Sequence, residues 1–587
     1  MMSSVSTRLH FITFAIISLT LAYLYGFALM DGSFWQIGSD PDDAMRYVQI
    51  QDWLNGQSWH DTNQYRLGLP VGTDMHWSRL PDFPVVMLTL IFDIFLERER
   101  AFHLAIAIWP PMTGAILLLI FARGAALLSN EKTRVSAHLF VLLLGAIYMC
   151  LNSRFSPGAI DHHNIQFVLL ALTVVSLLTY EKFSPALIGG AAAATAFAIG
   201  PEVYPFVAII GIFVSLDWAS LGLPRRIRTQ GFGIGFAGSL VFIFMITTGS
   251  KDFMTIYCDQ LSIINVFLGV IAGLTLALAA TLSSEKYFVI RIAWLGFIGV
   301  VALTIISTAA PQCLGNPLND LPPEIHTFWL DHITEAQPLI ESDNIFLSIS
   351  LYLGTSVVAF LVISYKVWRH GLKSHSILLA LLLLLSAALT FYQVRFFPFS
   401  QLLVILPLGL WVAACHANGK NKKHNLEYIG ALALSIPMIL ALPAILFEPT
   451  EEEKTSTIEC MSTDVIDVYT ALPKGTILAG TSDGSTLIKN TEHHIIAANY
   501  HRNTAGISLS ISINSADPDS AKDQLRKNNI TYFGTCDNDV LGALYKESFP
   551  NSLAAKLRND ETFDWLVPVT DNNKLINKNV KIYKITN

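Results

Sequence analysis

Charge is what this chain has least of. Only 14% of its 587 residues are Asp, Glu, Lys or Arg, against about 25% in an ordinary soluble domain. With 52% hydrophobic residues, that scarcity excludes a wholly soluble protein and leaves a chain embedded for most of its length among membrane lipids. Positive charge has no surplus: 38 Lys and Arg face 45 Asp and Glu, a net of -7. A nucleic-acid partner wants a basic surface, so no nucleic acid is expected. Cysteine is sparse as well. Six are scattered without a CxxC pair, which excludes a zinc cluster or a dithiol redox motif of the usual spacing. Cys460 and Cys536 fall in a polar tail and are free to pair if that tail is extracytoplasmic. Internal repeats and low-complexity segments are lacking. The first apolar run, about 9–30, ends without a small-residue cleavage site, so it reads as a retained helix and not as a cleaved signal.

Apolar runs of spanning length are abundant. About thirteen are legible, at 9–30, 103–127, 136–152, 164–180, 184–200, 203–217, 231–248, 262–282, 287–309, 346–366, 376–392, 399–416 and 426–447. The run 83–96 is shorter, lies between Asp82 and "ERER", and reads as an interfacial or re-entrant helix that does not cross. With the N-terminus inside, "SNEKTR", "PRRIRTQ", "SSEKYF", "YKVWRHGLKSH" and "HANGKNKKH" face the cytoplasm, as the positive-inside rule expects. The acidic or mixed segments 31–102, 153–163, 249–261, 310–345 and 393–398, and the tail from about 448, then lie on the outer face. The tail alternates β-type runs such as "TILAG" and "VKIYKIT" with amphipathic stretches such as "DPDSAKDQLRKNN". The expected organisation is a polytopic α-helical membrane domain over 1–447 and a small extracytoplasmic α/β domain over 448–587.

Nearly all the polar residues able to do chemistry fall in the outer segments. "GSDPDDAMRY" crowds Asp40, Asp42 and Asp43 just beyond a helix end, with Arg46 behind them. Three carboxylates there repel unless a cation joins them, and oxygen ligands suit a hard divalent ion. The same residues also read as a solvated loop whose Asp caps a helix. "SRFSPGAIDHHNIQ" sets Asp161 and His163 two apart, so an extended loop turns both toward one ion, or leaves them as a cap and wet histidines. "DHITEAQP" offers a further carboxylate, Glu335, and Glu202 stands at an outer helix mouth. "FYQVRFFP" puts Arg395 at an apolar boundary, where Arg either snorkels or grips a phosphate with its planar fork. "GTDMHWSR" brings His76, Trp77 and Arg79, which line a substrate groove or simply pack. "HHIIAANYHRN" groups His493, His494, His501 and Arg502, as strand residues facing a ligand or as solvated loop ends. Carboxylates that hold a cation, beside an Arg that grips phosphate at the membrane surface, suit sugar transfer from a lipid-linked phosphosugar.

In chain order these segments resemble the motifs of the oligosaccharyltransferase catalytic subunit, a GT-C membrane glycosyltransferase. "DPDDAMR" resembles its first-loop Asp-Pro-x-x-x-x-Arg, with Asp40 in the place of the metal-binding carboxylate and Arg46 at the matching offset. "SRFSPGAIDHH" resembles its second-loop motif, with Arg154, Gly158, Asp161 and His163 on the matching positions. "ITEAQP" resembles the Ser-x-Ser-Glu-x-Gln-Pro motif, which makes Glu335 its Glu, and "QVRF" resembles the late Gln-x-Arg-Phe element, which makes Arg395 the residue on the lipid phosphate. The Trp-Trp-Asp-Tyr-Gly motif, which reads the hydroxyl residue of a protein acceptor, is missing. "AGTSDGS" keeps only Asp483-Gly484 at its place.

The resemblance implies a GT-C transferase of the bacterial inner (plasma) membrane, multi-pass, working on the periplasmic or outer face. Mg2+ or Mn2+ is expected on Asp40, Asp161, His163 and Glu335, with Asp40, Asp42, Asp43 and Glu335 as catalytic carboxylates. Arg395, Arg154 and Arg46 are expected on the donor phosphate, and His76, Trp77, Arg79 and Glu202 in the substrate groove. His162 is expected to face away from the ion. The partners are a polyprenyl-linked sugar donor and a protein, lipid or glycan acceptor. The alternatives are a GT-C transferase that takes a polyprenyl-phosphate monosaccharide and, behind it, a transporter or flippase. The last should carry its charges at the bilayer midplane.

Overall fold

The computed structural model describes the chain except residues 1, 179–181, 316–317, 319–320, 343, 419–421, 448–459, 538, 570–578 and 587. It falls into two compact units. The first comprises Met1–Gly38, Trp77–Gly315 and Pro338–Glu448, and the second Ser39–His76, Asn316–Gln337 and Pro449–Asn587.

The first unit is helical because its apolar runs leave no polar surface for water, and a helix satisfies every backbone group internally. Among the described residues nine helices are long and apolar enough to cross a membrane, or up to eleven if each of two bent pairs is one span. The apolar helices His163–Ser176 and Phe183–Ile199 stand at two of the thirteen expected runs, but with 14 and 17 residues they are shorter than the others. Asp82–Phe92 is shorter still, at 11 residues.

Two local features organise this unit. The helix Arg98–Leu128 carries Pro110 and Pro111 in its interior. Pro110 has no N–H, so the carbonyl of Ile106, four residues back, loses its helical partner. The backbone N–H of Gly158 takes that carbonyl at 3.1 Å, which anchors the segment 153–162 to the helix. The second feature is a buried ion cluster. Asp217 accepts from Arg225 Nε at 2.7 Å, from Arg228 at 2.5 Å and from the Ser374 hydroxyl at 2.7 Å, tying three helices together. Arg228 is fully buried.

The second unit is built on a five-stranded sheet. Its strands are β3 (Thr476–Leu478), β4 (His494–Ile495), β5 (Tyr532–Cys536), β6 (Leu566–Pro568) and β7 (Val580–Ile585), after a short antiparallel hairpin of β1 (Asn63–Gln64) and β2 (Thr73–Asp74). The order is β4-β3-β5-β7-β6, with β3 parallel to both neighbours and β7 antiparallel to β5 and β6. Two earlier parts of the chain join this tail. Next to the hairpin, Ile495 N donates to Arg66 O and Gly68 N to Ile495 O, both at 2.8 Å, which extends the β4 edge of the sheet. Ile325, Phe328 and Trp329, from the short helix Pro323–Phe328 and the residue after it, enter the apolar core with Leu478, Phe533 and Tyr545. His493 is buried, not solvated, and bridges the Gly475 N–H to the Tyr469 carbonyl.

Asp217→Asn should destabilise the protein by about 3–5 kcal/mol, because it leaves buried guanidinium charge without its counterion. A fall in the thermal unfolding midpoint of the detergent-solubilised chain measures it, and an unchanged midpoint rejects the staple.

Candidate functional site

The segment 153–162 reaches its place through glycine. Gly158 has φ 87°, and a Cβ there would lie 2.4 Å from Gln36 O. Gly38 N donates to Gly158 O at 2.9 Å, so the first-loop entry and the second loop lie back to back at this point. Only glycine fits a left-handed residue pressed so closely on backbone. The 3-10 turn Ser153–Phe155, whose Arg154 N–H is capped by Asn152 Oδ1, and the start of the helix His163–Ser176 then bring their side chains together.

Asp161 is the centre of that cluster and is buried. Its Oδ1 accepts the His162 backbone N–H at 2.7 Å and the His162 ring Nδ1–H at 2.6 Å. Its Oδ2 accepts from Arg154 at 2.5 Å and lies 3.5 Å from His163 Nε2. Burial by itself would raise the Asp161 carboxyl, but the charge of His162, its hydrogen bond and the charge of Arg154 outweigh it and hold the group well below the usual carboxylate range. Burial likewise opposes the charged form of His162, yet Asp161 and then Glu202 push its pKa up to about 10. His162 is therefore an imidazolium between two carboxylates, with Nε2 at 3.6 Å from Glu202 Oε2. It does not face away as the sequence reading expects. The Asp-His-His geometry, with the two rings tilted by 33° and 4.5 Å apart, turns both rings toward Asp161.

The state of His163 follows from a relay. Gln166 Nε2 donates to Glu202 Oε2 at 3.2 Å, so Gln166 turns its carbonyl oxygen to His163 Nδ1 at 2.9 Å. His163 Nδ1 thus carries the proton and Nε2 keeps its lone pair, aimed at an oxygen of Asp161. Two lone pairs facing each other at 3.5 Å form a ligand pair with an oriented second shell, the arrangement a divalent cation takes. Gly200 makes room for the relay: a Cβ there would lie 2.6 Å from Glu202 Oε2, 2.9 Å from Gln166 Nε2 and 3.2 Å from His162 Nε2. Gln166 and Gly200 carry no motif signal of their own, and only the folded chain exposes their part.

Arg395 belongs to the same unit. It sits in the 3-10 turn Val394–Phe396, its guanidinium lies 5.7 Å from the Phe396 ring centre, and it is close enough to Glu202 for their charges to interact. Its Nε is buried without a hydrogen-bond partner. Trp77 is buried with its ring 6.5 Å from that of His162, and Arg79 is buried beside Asp82 at 3.6 Å.

Asp40, Asp42, Asp43, Arg46, His76 and Glu335 belong to the second unit. There Asp40 is the N-cap of the helix Pro41–Leu54 and accepts the Asp42 N–H at 3.0 Å, while Asp43 and Arg46 are buried in its first turns. Tyr500 donates to Pro41 O at 3.1 Å, the His76 and His501 rings lie 4.5 Å apart, and Glu335 is exposed in the turn Thr334–Ala336. Two disulfides are present among the described residues, Cys460–Cys536 as the sequence allows and Cys258–Cys313 in the first unit, which the sequence reading leaves unpaired.

No protein-family model matches the chain, and no curated protein matches it by sequence. Solved structures match it by fold. The archaeal oligosaccharyltransferase AglB from Archaeoglobus fulgidus, in complex with an inhibitory peptide and a dolichol-phosphate, superposes with a TM-score of 0.65 at 13% identity, over 95% of this chain and 72% of that one. The Archaeoglobus fulgidus oligosaccharyltransferase tethered to an acceptor peptide containing the NVT sequon gives 0.60 at 13% identity, over 98% and 74%. The complex of the same enzyme with Zn and sulfate gives 0.51 at 13% identity, over 93% and 69%. At this identity the likeness is one of fold, and the fold is GT-C.

Gly158→Ala and Gly200→Ala should each destabilise the first unit by about 1–3 kcal/mol, the first through a left-handed residue and a backbone clash, the second by overpacking the relay. Thermal midpoints of the two variants test this, and wild-type midpoints for both would reject the tight packing described.

Proposed function

We propose that this chain, which has the GT-C fold of the oligosaccharyltransferase catalytic subunit, is a membrane glycosyltransferase that moves a sugar or oligosaccharide from a polyprenyl-linked phosphate donor to an acceptor. The observation that carries the reading is the His163 lone pair aimed at the Asp161 carboxylate, locked by Gln166 and Glu202, in the unit that also holds Arg395 with a buried, unpartnered Nε.

Asp161 and His163 are the residues of this unit suited to hold Mg2+ or Mn2+. The sequence motifs alone extend the assignment to Asp40 and Glu335 as further carboxylates. When bound, the ion supplies Lewis-acid stabilisation of negative charge. Arg154 and His162 hold Asp161 anionic and fixed in direction, so the ligand pair needs no rearrangement. Arg395 offers a planar fork to the donor phosphate, and the charge it meets grows as the bond to the sugar breaks, so its contribution is greatest in the transition state. The acceptor nucleophile bonds to the anomeric carbon, the carbon–oxygen bond to the phosphate breaks, and polyprenyl phosphate or pyrophosphate leaves with the electron pair. Asp40, with Asp42 or Asp43, is our choice for the carboxylate that takes the acceptor's proton.

We further place the reaction on the outer face of a bacterial plasma membrane. Disulfides form in oxidising compartments; those of Cys258 and Cys460 support that side for their segments, and the Lys/Arg-rich loops support the opposite side as cytoplasmic. The missing Trp-Trp pair favours a second reading of the acceptor: a lipid or polysaccharide glycosylated from a polyprenyl-phosphate monosaccharide.

Purified protein supplied with each donor type, and with a sequon peptide or a lipid or glycan acceptor, separates the two. Asp161→Ala and Asp40→Ala should each lower transfer by roughly 100-fold or more. Arg395→Lys, which keeps the charge but loses the fork, should lower kcat more than it raises the donor KM, with an unchanged thermal midpoint. Full activity of Asp161→Ala in a folded, inserted protein sinks the site.

A further inference from the structure

The end of the first unit away from the Asp161 cluster carries charge that the proposed transfer does not use. The helix Tyr204–Leu221 starts beside Glu202, and its 18 residues span about 27 Å before it ends just past Asp217. The helix Ser374–Tyr392 runs the other way, from Ser374 to the turn that holds Arg395. The Ser374 hydroxyl donates to Asp217 Oδ1 at 2.7 Å and accepts from Arg225 Nη2 at 3.0 Å, so the segments 217–229 and 366–375 meet at this end. A third segment, 284–291, joins them: Arg291 Nε donates to Ala219 O at 2.7 Å, and Trp218 Nε1 to Ser284 Oγ at 2.8 Å. All three belong to the first unit.

Together these segments hold eight Lys and Arg against two carboxylates, in a chain whose net charge is -7. Neither carboxylate cancels the surplus. Asp217 is buried and its charge is taken up by Arg225 and Arg228. Glu285 is exposed next to Lys286, which already matches it in sign and number. Arg291 spends its donors on the carbonyls of Ala219, Ser284 and Lys286. Arg369, Lys373 and Lys286 are exposed and Arg226 is half-buried, so these carry the charge that reaches the surface. The charges of Lys373 and Lys366 both reach His375, so the basic groups of this segment crowd one another. The helices Arg226–Thr247 and Ser374–Tyr392 also begin here with no acidic residue in the first turn, where the helix dipole disfavours cations. Cations gathered at such a place repel one another unless an anion joins them.

Depth decides the kind of anion. Trp368 is 76% exposed, with the Arg369 guanidinium 5.9 Å from its ring centre, and Tyr287, next to Lys286, is 84% exposed. Exposed Trp and Tyr at the ends of apolar spans mark the headgroup level of a bilayer. Leu221, Leu223 and Ile227 are exposed in the same segments, an apolar surface that acyl chains cover and water does not. Clusters of roughly four to eight Lys and Arg at the end of a spanning helix attract anionic lipid headgroups. A soluble anion would meet the cations but leave the aromatic and apolar side chains uncovered. We propose that the surface formed by the segments 217–229, 284–291 and 366–375 binds the headgroup of an anionic phospholipid, with Arg226, Lys286, Arg369 and Lys373 supplying the countercharge. The site lies at the far end of the helix from Glu202, and stands or falls without the transferase reading.

The test places the full chain in nanodiscs of mixed phosphatidylglycerol and phosphatidylcholine and counts, by native mass spectrometry, the lipids that stay bound on release. Wild type should retain phosphatidylglycerol over phosphatidylcholine, and less so as ionic strength rises. Arg369→Gln and Lys373→Gln should each weaken that preference about 5-fold. Their thermal midpoints in detergent should match wild type, because both side chains are exposed. Lys132→Gln, in another basic loop, should leave the preference as it is. Sodium pyrophosphate should displace the lipid no better than sodium chloride of equal ionic strength. A stronger effect would assign the surface to soluble phosphates and overturn the proposal. Equal retention of the two lipids by wild type, a preference that survives the double Gln variant, or an equal loss in Lys132→Gln would each overturn it as well.

Discussion

The first unit's site depends on one missing hydrogen. Pro110 cannot donate to Ile106, and a carbonyl inside an apolar helix cannot go without a donor at small cost. The donor comes from Gly158, in a loop far along the chain. Gly158 can take that place because it lacks a Cβ and tolerates φ 87°. Fixing Gly158 fixes the few residues that follow, and these include Asp161, His162 and His163. The geometry of the Asp161 cluster thus hangs on a backbone hydrogen bond to the helix Arg98–Leu128.

From that anchor the cluster alternates in sign: Arg154, Asp161, His162 and Glu202, each charge between neighbours of the other kind. Such a chain holds geometry well, because moving any member exposes two others in a low-dielectric setting. It ends at His163, the one ring kept with a lone pair, and near Arg395, a guanidinium with unspent donor capacity. The rigid part and the receptive part are therefore different residues.

Most spans were legible because apolar length is a local property, but two of the thirteen expected runs form helices of only 14 and 17 residues. The motif residues Arg154, Gly158, Asp161 and His163 were legible too, and they do meet. What sequence could not supply were meetings without a local pattern. Gln166 and Gly200 look like ordinary helix-end residues until Glu202 is placed beside them. His162 looked spare because adjacent residues in an extended loop point apart, but here the loop turns into a helix start and both rings swing inward. Cys258 and Cys313 sit in segments separated by a full hairpin of helices. The short hairpin β1–β2 was invisible in a polar loop, since two-residue strands have no period to read.

The second unit is discontinuous: its core and sheet edge join residues near 66 and 325 to the tail beyond 460. Arg66 donates to Thr491 O across 425 residues of sequence. A ribosome releases the first of these segments long before the last, while the helices between them must each be inserted. The early loop therefore waits unfinished until the tail strands have been made. A chain cut short before residue 494 lacks the strand that the loop near 66–68 extends, and leaves that loop without its sheet.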